Sequence, residues 1–515
     1  MSAVVDTVHG IVGHWAQRQG ETLHMVLPDG SFATYADTFG RGARLAQSLA
    51  AAGVGRGDRV ACLLDNGRAL YEFYVACGLT GAIGVPINTR STGREIGGIA
   101  QDCAPIAMVT DAAHAGRVPD AVRAELRVAI IVGGAAEGWT GYEGAVGHPP
   151  AAAACTQGMA DDPAVMIYSS GTTGTPKGIL LRHGALVENA RMTAGVLGYR
   201  GSDRFLTLLP GFSSFGFSWD YAQAGLVGAA TVILPRFDAR AAIEAIDRSR
   251  VTVMAGVPIM FARIFTSQAL AGYDISCLRI IDVGGGPVPA VLVRELRELW
   301  GIEVVESYGL TEISPVASVQ RPGEAPVVGS CGKPLPGIKV RVLGVDGSEA
   351  PVGEPGELVF SGPTMMTGYW NMPDQTARAL RGAWLYSGDI GKIDRDGNIY
   401  LLDRVKDMIV TNGFNVYPKE VESIICEVPG VQSVCVVGLP DEMRGERVVA
   451  FAIAEPGATP QESEVIRYCE ANLARFKVPW RVLFLDEMPL TATGKIRRFQ
   501  LREHALTLLK EDAGL

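Results

Sequence analysis

Histidine is missing from the stretch where a hydrolytic or metal-dependent enzyme would need it. The 515 residues include seven histidines, and none lies between His183 and His504. No H-E-x-x-H zinc site exists, and a Ser-His-Asp arrangement would have to draw on a few isolated candidates. The chemistry of the middle of the chain is therefore expected to run without a histidine base. Paired cysteines are missing too: the nine cysteines are scattered, with no C-x-x-C pair. An odd, dispersed set within mostly apolar runs reads as buried thiols in a reducing cytoplasm. Basic blocks are also absent, and the formal net charge is −9, so neither a nucleic-acid footprint nor a polybasic membrane anchor is present. The apolar run 128–136 is far too short to span a bilayer. The first six residues lack the charged and apolar regions of an export signal, and the terminal Ala513, Gly514 and Leu515 form no peroxisomal address. The expected location is cytoplasmic.

What is present is the composition of a globular enzyme, 48% apolar and 20% charged, in a chain long enough for two or more domains. The first half alternates strand and helix. Residues 59–64 form a short apolar run, 68–82 show helical spacing, and 82–87 form a second run. The pattern recurs at 231–234, 239–248 and 251–255. Alternation of this kind predicts an α/β fold of parallel-type sheets covered by helices, with ligands at the carboxyl ends of the strands. Beyond a Pro/Gly-rich stretch at 321–337, alternating residues at 338–343 and 357–361 predict a small β-rich subdomain. After Leu402 the order reads β 405–410, α 418–427, β 431–437, β 447–453, α 461–473 and β 482–485, a compact α+β unit.

Residues 168–178 are the densest concentration of chemistry. Behind the apolar run 164–167 come Tyr168, Ser169, Ser170, Gly171, Thr172, Thr173, Gly174, Thr175, Pro176, Lys177 and Gly178. Backbone N–H groups, hydroxyls and an ammonium beyond a strand end make a phosphate cradle. The pattern is not a P-loop, which needs glycine at 176 and Ser or Thr at 178. Gly284, Gly285 and Gly286 follow another strand-like run, and Pro289 breaks the dinucleotide fingerprint G-x-G-x-x-G. Tyr308, Gly309, Leu310, Thr311 and Glu312 supply a flat ring for adenine, a hydroxyl for a phosphate and a hard oxygen for Mg²⁺. Asp389, within Tyr386, Ser387, Gly388 and Asp389, is suited to accept from two adjacent hydroxyls. Arg404 and Lys406 lie in 403–407, Gly413 and Phe414 in 411–418, and Lys495 in a P-x-T-x-x-G-K-x-x-R stretch at 489–498.

Taken in this order, these segments resemble the adenylate-forming superfamily, which includes acyl-CoA synthetases, peptide-synthetase adenylation domains and firefly luciferase. The likeness covers nearly the whole chain. It implies an adenylating domain over 1–403, with the ATP and acid sites, and a mobile lid domain over 404–515 with its hinge at 403–406. It implies ATP and Mg²⁺, with coenzyme A as acceptor. Ser169, Ser170, Gly171, Thr172, Thr173, Gly174 and Lys177 would hold phosphates, and Thr172 and Glu312 the metal. Gly284, Gly285, Gly286, Tyr308, Gly309 and Thr311 would surround adenine and the α-phosphate. Asp389 and Arg404 would hold the ribose and its phosphate. Lys495, Thr311 and Glu312 would be catalytic, Lys406 the pivot, and Gly413 and Phe414 the border of the pantetheine tunnel. Phe212, Ser213, Phe217 and Gly285 would line the acyl pocket.

Two departures from the family pattern stand out. Val410 replaces a lysine common in acyl-CoA synthetases. Ser213 stands where α-amino-acid-loading domains carry aspartate and many CoA ligases carry histidine, which leaves a more open pocket. The expected activity is adenylation of a carboxylic acid followed by transfer to CoA. Open alternatives are a carrier-protein thiol, an amine or another small nucleophile as acceptor, and a noncatalytic nucleotide-binding relative. A homodimer is left open.

Overall fold

A computed structural model describes residues 5–147, 156–169, 176–265, 270–286, 288–412, 414–441, 443–489 and 496–512. Among these residues the strands build four sheets, and most of the chain's chemistry hangs from the ends of two of them. In the nine-stranded sheet, Leu23–Val26, Ala230–Val232, Arg204–Leu206, Val253–Gly256, Ile280–Val283 and Glu303–Gly309 lie side by side and parallel. Antiparallel strands close both edges. In the eight-stranded sheet, Val128–Val132, Ala107–Asp111, Arg59–Leu63, Ile83–Pro86 and Pro163–Ser169 are parallel neighbours. The α/β expectation is thus borne out, with helices such as Tyr35–Ala51 and Arg68–Thr80 packed between and over the sheets. Tyr35–Ala51 starts where a capping box allows it: the Thr34 side chain accepts from the Asp37 backbone, and Asp37 returns the bond.

The sheets are also tied by charge. Arg236 Nη2 lies 2.8 Å from Asp65 Oδ2, which in turn faces His114 Nε2 at 3.3 Å. Asp65, Asp111 and His114 lie close enough to hold a cation, but two guanidiniums, Arg236 and Arg117, already sit on the same imidazole. The arrangement is an ion-pair network joining elements of both sheets.

The β-rich subdomain is a five-stranded antiparallel sheet containing Lys339–Leu343, Gly356–Ser361, Trp384–Ile393 and Ile399–Arg404. The final unit is another five-stranded sheet. Along Val431–Asp441, Val434 and Val436 face the helices Pro418–Ile425 and Glu462–Asn472, while Cys435, Val437 and Leu439 face the helix Arg498–Asp512. That period-two alternation is the signature of a strand covered on both sides. One boundary needs correction. The expected strand at 405–410 begins only at Ile409, because Asp407 and Met408 donate their N–H groups to Arg404 O and close a turn. The described cysteines are all unbridged, but Cys426 is exposed rather than buried.

Of the buried histidines in the large domain, three are held neutral by their surroundings. Burial, then the Arg68 charge, lowers His24 to about 3, and burial takes His183 to about 3 and His9 to about 4. His24 stacks on Tyr35 and meets Thr38 Oγ1 at 3.0 Å. Because the folded pKa lies below the unfolded 6.5, its contribution is complete above that pH and is lost as pH falls. His24→Gln should therefore destabilise the large domain at neutral pH. Its deficit against the parent should shrink by about 1.4 kcal/mol per pH unit as pH falls below about 6.5, measured by urea unfolding across pH. A pH-independent deficit would remove the titration argument.

Candidate active site

Parallel strands end on one side of a sheet, and their following loops gather there. Ile280–Val283 runs into Gly284, Gly285 and Gly286, and Glu303–Gly309 carries Tyr308 and Gly309 at its end. Pro163–Ser169 points the same way in the other sheet and returns antiparallel as Lys177–Arg182, with Ser169 opposite Lys177. Of the expected cradle, Tyr168, Ser169, Lys177 and Gly178 therefore belong to two paired antiparallel strands. Ser170, Gly171, Thr172, Thr173 and Gly174 lie outside the described residues, as do Gly413 and Lys495.

Asp389 is the point where three segments meet. The Tyr308 hydroxyl donates to Asp389 Oδ2 at 2.6 Å, and Arg404 Nε lies 2.7 Å from Oδ1. Burial and then the Asp389 charge hold the Tyr308 phenol well above its usual range. Partial desolvation works against the Arg404 charge, but Asp389, Tyr308 and Glu312 together hold the guanidinium protonated. Asp403, one residue earlier, is buried and accepts from the backbone N–H of both Arg404 and Lys419, each at 2.8 Å. It links the last strand of the subdomain to the helix Pro418–Ile425. Lys406 is exposed in the turn between them.

A second network surrounds Glu312. Tyr369 Oη donates to Glu312 Oε1 at 2.9 Å, and the Lys177 ammonium sits 5.0 Å from the centre of the Tyr369 ring. One tyrosine thus bridges the lysine after the cradle and the carboxylate expected to hold metal. Thr311 Oγ1 and Ser214 Oγ are 2.8 Å apart. Tyr369 and Ser214 were missed from sequence, since their partners lie far away in the chain and no local motif marks them.

The glycines have separate reasons. Gly309 has no room for a side chain: an added Cβ would lie 1.9 Å from Pro315 O. Backbone packing by itself requires glycine at this position. Gly285 has φ +76°, a left-handed conformation that glycine adopts without strain. A Cβ on Gly284 would come within 2.7 Å of Ser307 Oγ and 3.4 Å of Phe215 Cζ. Beneath that loop, Ser307 Oγ donates to Asp282 Oδ1 at 2.6 Å. Asp282 is 0% exposed, and its Oδ2 has no partner among the described residues. Burial pushes its carboxyl up to about 7, against the pull of the Ser307 hydrogen bond.

The aromatic residues of 212–219 divide between the core and the glycine loop. Phe217 is 1% exposed in the core, stacked on Tyr221 at 5.3 Å. The ring beside the glycine loop is Phe215, which meets Trp219 edge-on at 4.7 Å. Phe212 is half-buried. Ser213 uses its hydroxyl locally, donating to Pro210 O at 2.7 Å and accepting from Gly216 N at 3.1 Å. That bond caps the helical run that continues as the π-helix Phe217–Gln223. In the last unit Phe414 is 55% exposed and stacks on Phe476 at 4.8 Å.

Residues 12–370 match the model of the AMP-binding enzyme family, and residues 420–495 match the AMP-binding enzyme C-terminal domain. The chain belongs to the AMP-binding enzyme family. Similar proteins include an indoleacetate–CoA ligase of Aromatoleum aromaticum, 35% identical, with 91% of this chain and 92% of that protein covered. A feruloyl-CoA synthase of an Amycolatopsis species is 36% identical, covering 95% and 98%. Among solved structures, ATP-bound MatB from Rhodopseudomonas palustris superposes with a TM-score of 0.89 at 31% identity, covering 97% and 99%. For this AMP-binding enzyme, Gly309→Ala should cost at least about 1–3 kcal/mol, as overpacking does, because the obstruction is backbone. Thermal unfolding of the variant checks it; an unchanged midpoint would contradict the close approach.

Proposed function

We propose that the protein activates a bulky cyclic or aromatic carboxylic acid with ATP, releases pyrophosphate, and passes the acyl group to the thiol of coenzyme A. The observation that carries this reading is the convergence of the Asp389–Tyr308–Arg404 and Lys177–Tyr369–Glu312 networks on Tyr308 and Glu312, at and just beyond the carboxyl end of the parallel strand Glu303–Gly309. Both relatives described above are named for CoA products, which supports CoA over a carrier-protein thiol. Unbridged cysteines suit action in the cytoplasm.

Carboxylate and ATP are both anions, so their approach requires neutralisation and in-line placement. Lys177 and Arg404 bring positive charge, and the hydroxyl of Thr311 offers a donor to a phosphate oxygen. Magnesium is ordinarily held by one or two carboxylates together with substrate phosphates. Glu312, oriented by Tyr369, fits that donor set. Bound there, the ion would offset polyphosphate charge. Lys495 bridges the acid's carboxylate and the α-phosphate. A carboxylate oxygen attacks the α-phosphorus, the bond to pyrophosphate breaks, and the acyl-adenylate remains. The CoA sulfur then attacks the acyl carbonyl, its proton passes to solvent, and AMP leaves. Asp389 holds the ribose hydroxyls, exchanging part of its present hydrogen bonding for them. The segment 403–406 is the hinge between an adenylating unit, 1–403, and a lid, 404–515, that brings Gly413 and Phe414 to the thiol-binding side.

Lys495→Ala should lose adenylation by on the order of 10²-fold or more, while still transferring the acyl group from preformed acyl-adenylate. Normal pyrophosphate release by the variant would remove the lysine from the first step.

Pocket size gives a second test. Gly286 is the clean position for it, because an added Cβ meets nothing nearer than Pro258 Cδ at 4.0 Å. With an acid panel scored by pyrophosphate release, the parent should prefer aromatic or cyclic acids to acetate and propionate. Gly286→Leu should lower that preference, since overpacking costs ~1–3 kcal/mol. Best activity with acetate, or equal slowing of all acids, would refute the open-pocket reading.

A further inference from the structure

The helix Gly93–Cys103 carries an acidic residue where its own dipole disfavours one. Peptide carbonyls concentrate negative charge at a helix C-terminus, yet Asp102 stands in the last turn and no basic residue shares that turn. The final carbonyls also lack intrahelical partners and must find them elsewhere. Arg59, on the strand Arg59–Leu63, donates from Nε to Cys103 O at 2.7 Å and from Nη2 to Ala104 O at 2.9 Å. Asp102 O accepts from Trp370 Nε1 at 3.1 Å and from Asn371 Nδ2 at 3.3 Å. The Asp102 side chain turns to a different element, and its Oδ2 accepts from the Tyr168 hydroxyl at 2.5 Å. Burial first, with the Asp102 hydrogen bond among the further causes, holds the Tyr168 phenol above its usual range, so it stays a donor.

These partners belong to three neighbouring strands. Tyr168 is next to last in Pro163–Ser169 and lies opposite Gly178 in Lys177–Arg182. Gly178 O accepts from Trp370 N at 2.7 Å, and Tyr369, at the end of the strand Gly368–Tyr369, pairs with Ile179. One helical residue therefore holds the first strand by its carboxylate and the residue following the third by its carbonyl. The middle strand, which begins at Lys177, is paired to both. Lys177 and Tyr369 are the cation and the ring of the network that reaches Glu312. Their spacing depends on how these strands are held at this end, and the contacts of Asp102 lie at this end.

We propose that Asp102 is a positioning residue for the adenylation step: through Tyr168 and Trp370 it fixes the spacing of Lys177 and Tyr369, and so the alignment of the ATP phosphates with Glu312. The inference rests on the acid-activating function proposed above and adds a residue that never meets the nucleotide. A displacement of about 1 Å caused by a distant substitution can cost ~10²-fold in rate. Acyl transfer to CoA follows the departure of pyrophosphate, so it does not draw on this alignment.

The test separates the two half-reactions. ATP–pyrophosphate exchange, with an acid that the parent activates, reads the first, and loss of free CoA thiol with preformed acyl-adenylate reads the second. Asp102→Ala should lower kcat/KM for ATP in the exchange by about ten-fold or more. Transfer from acyl-adenylate should stay within about three-fold of the parent. Asp102→Asn keeps an oxygen for the Tyr168 hydroxyl and should recover most of the loss. Tyr168→Phe removes the same bond from its other end, so the double variant should be no worse than the poorer single variant, to within about three-fold. Thermal midpoints identify a variant that does not fold; if Asp102→Ala is one, Tyr168→Phe, which keeps the ring, carries the test. Equal slowing of both half-reactions, ATP exchange unmoved by either substitution, or additive losses overturn the proposal alone. A parent enzyme that forms no adenylate from any acid overturns the functional reading and this proposal together.

Discussion

The carboxylate of Asp389 is the constraint on which the site depends. It sits on a strand of the antiparallel subdomain, takes a proton bond from Tyr308 at the end of the parallel sheet, and pairs with Arg404 at the threshold of the last unit. Three structural layers are thereby referred to one pair of oxygen atoms. Asp403 continues the linkage by gripping the start of the next helix. Charges held this way need little reorganisation when an anionic substrate arrives, which is the condition for electrostatic catalysis. The Tyr369 bridge does for Lys177 and Glu312 what Asp389 does for Tyr308 and Arg404. Each network contains one tyrosine, one cation and one carboxylate, supplied by segments remote in the chain.

Much of this was legible in the residues. Alternating apolar runs and helical spacing located the parallel strands, and the glycine- and hydroxyl-rich loops marked their carboxyl ends. What stayed hidden depends on long-range partners. Nothing local distinguishes Phe215, beside the glycine loop, from Phe217, which is buried; their separation follows from the helical turn that begins at Ser213. Tyr369 reads as an ordinary strand aromatic until Glu312 and Lys177 are placed around it. The strand expected at 405 begins at Ile409 because Arg404 O gathers two N–H groups into a turn, which apolar patterning does not report. The close approach of Pro315 O to Gly309 is a packing constraint that no local pattern reports.

The Ser213 cap has a bearing on how such an enzyme could change its diet. A residue at a pocket wall is ordinarily free to vary, because enlarging or shrinking it alters only what fits. Here the same hydroxyl ties back Pro210 and starts the helical run that positions Phe215 and Trp219. A substitution at this position would shift the aromatic ring beside the glycine loop together with the wall itself. In the pocket proposed above, new substrate preferences would be more accessible through Gly286, where space is open and the backbone unstrained, than through the residue that the sequence pattern singles out. Evolvability in this pocket follows the hydrogen-bonding duties of each side chain, and proximity to the acid is a poor guide to it.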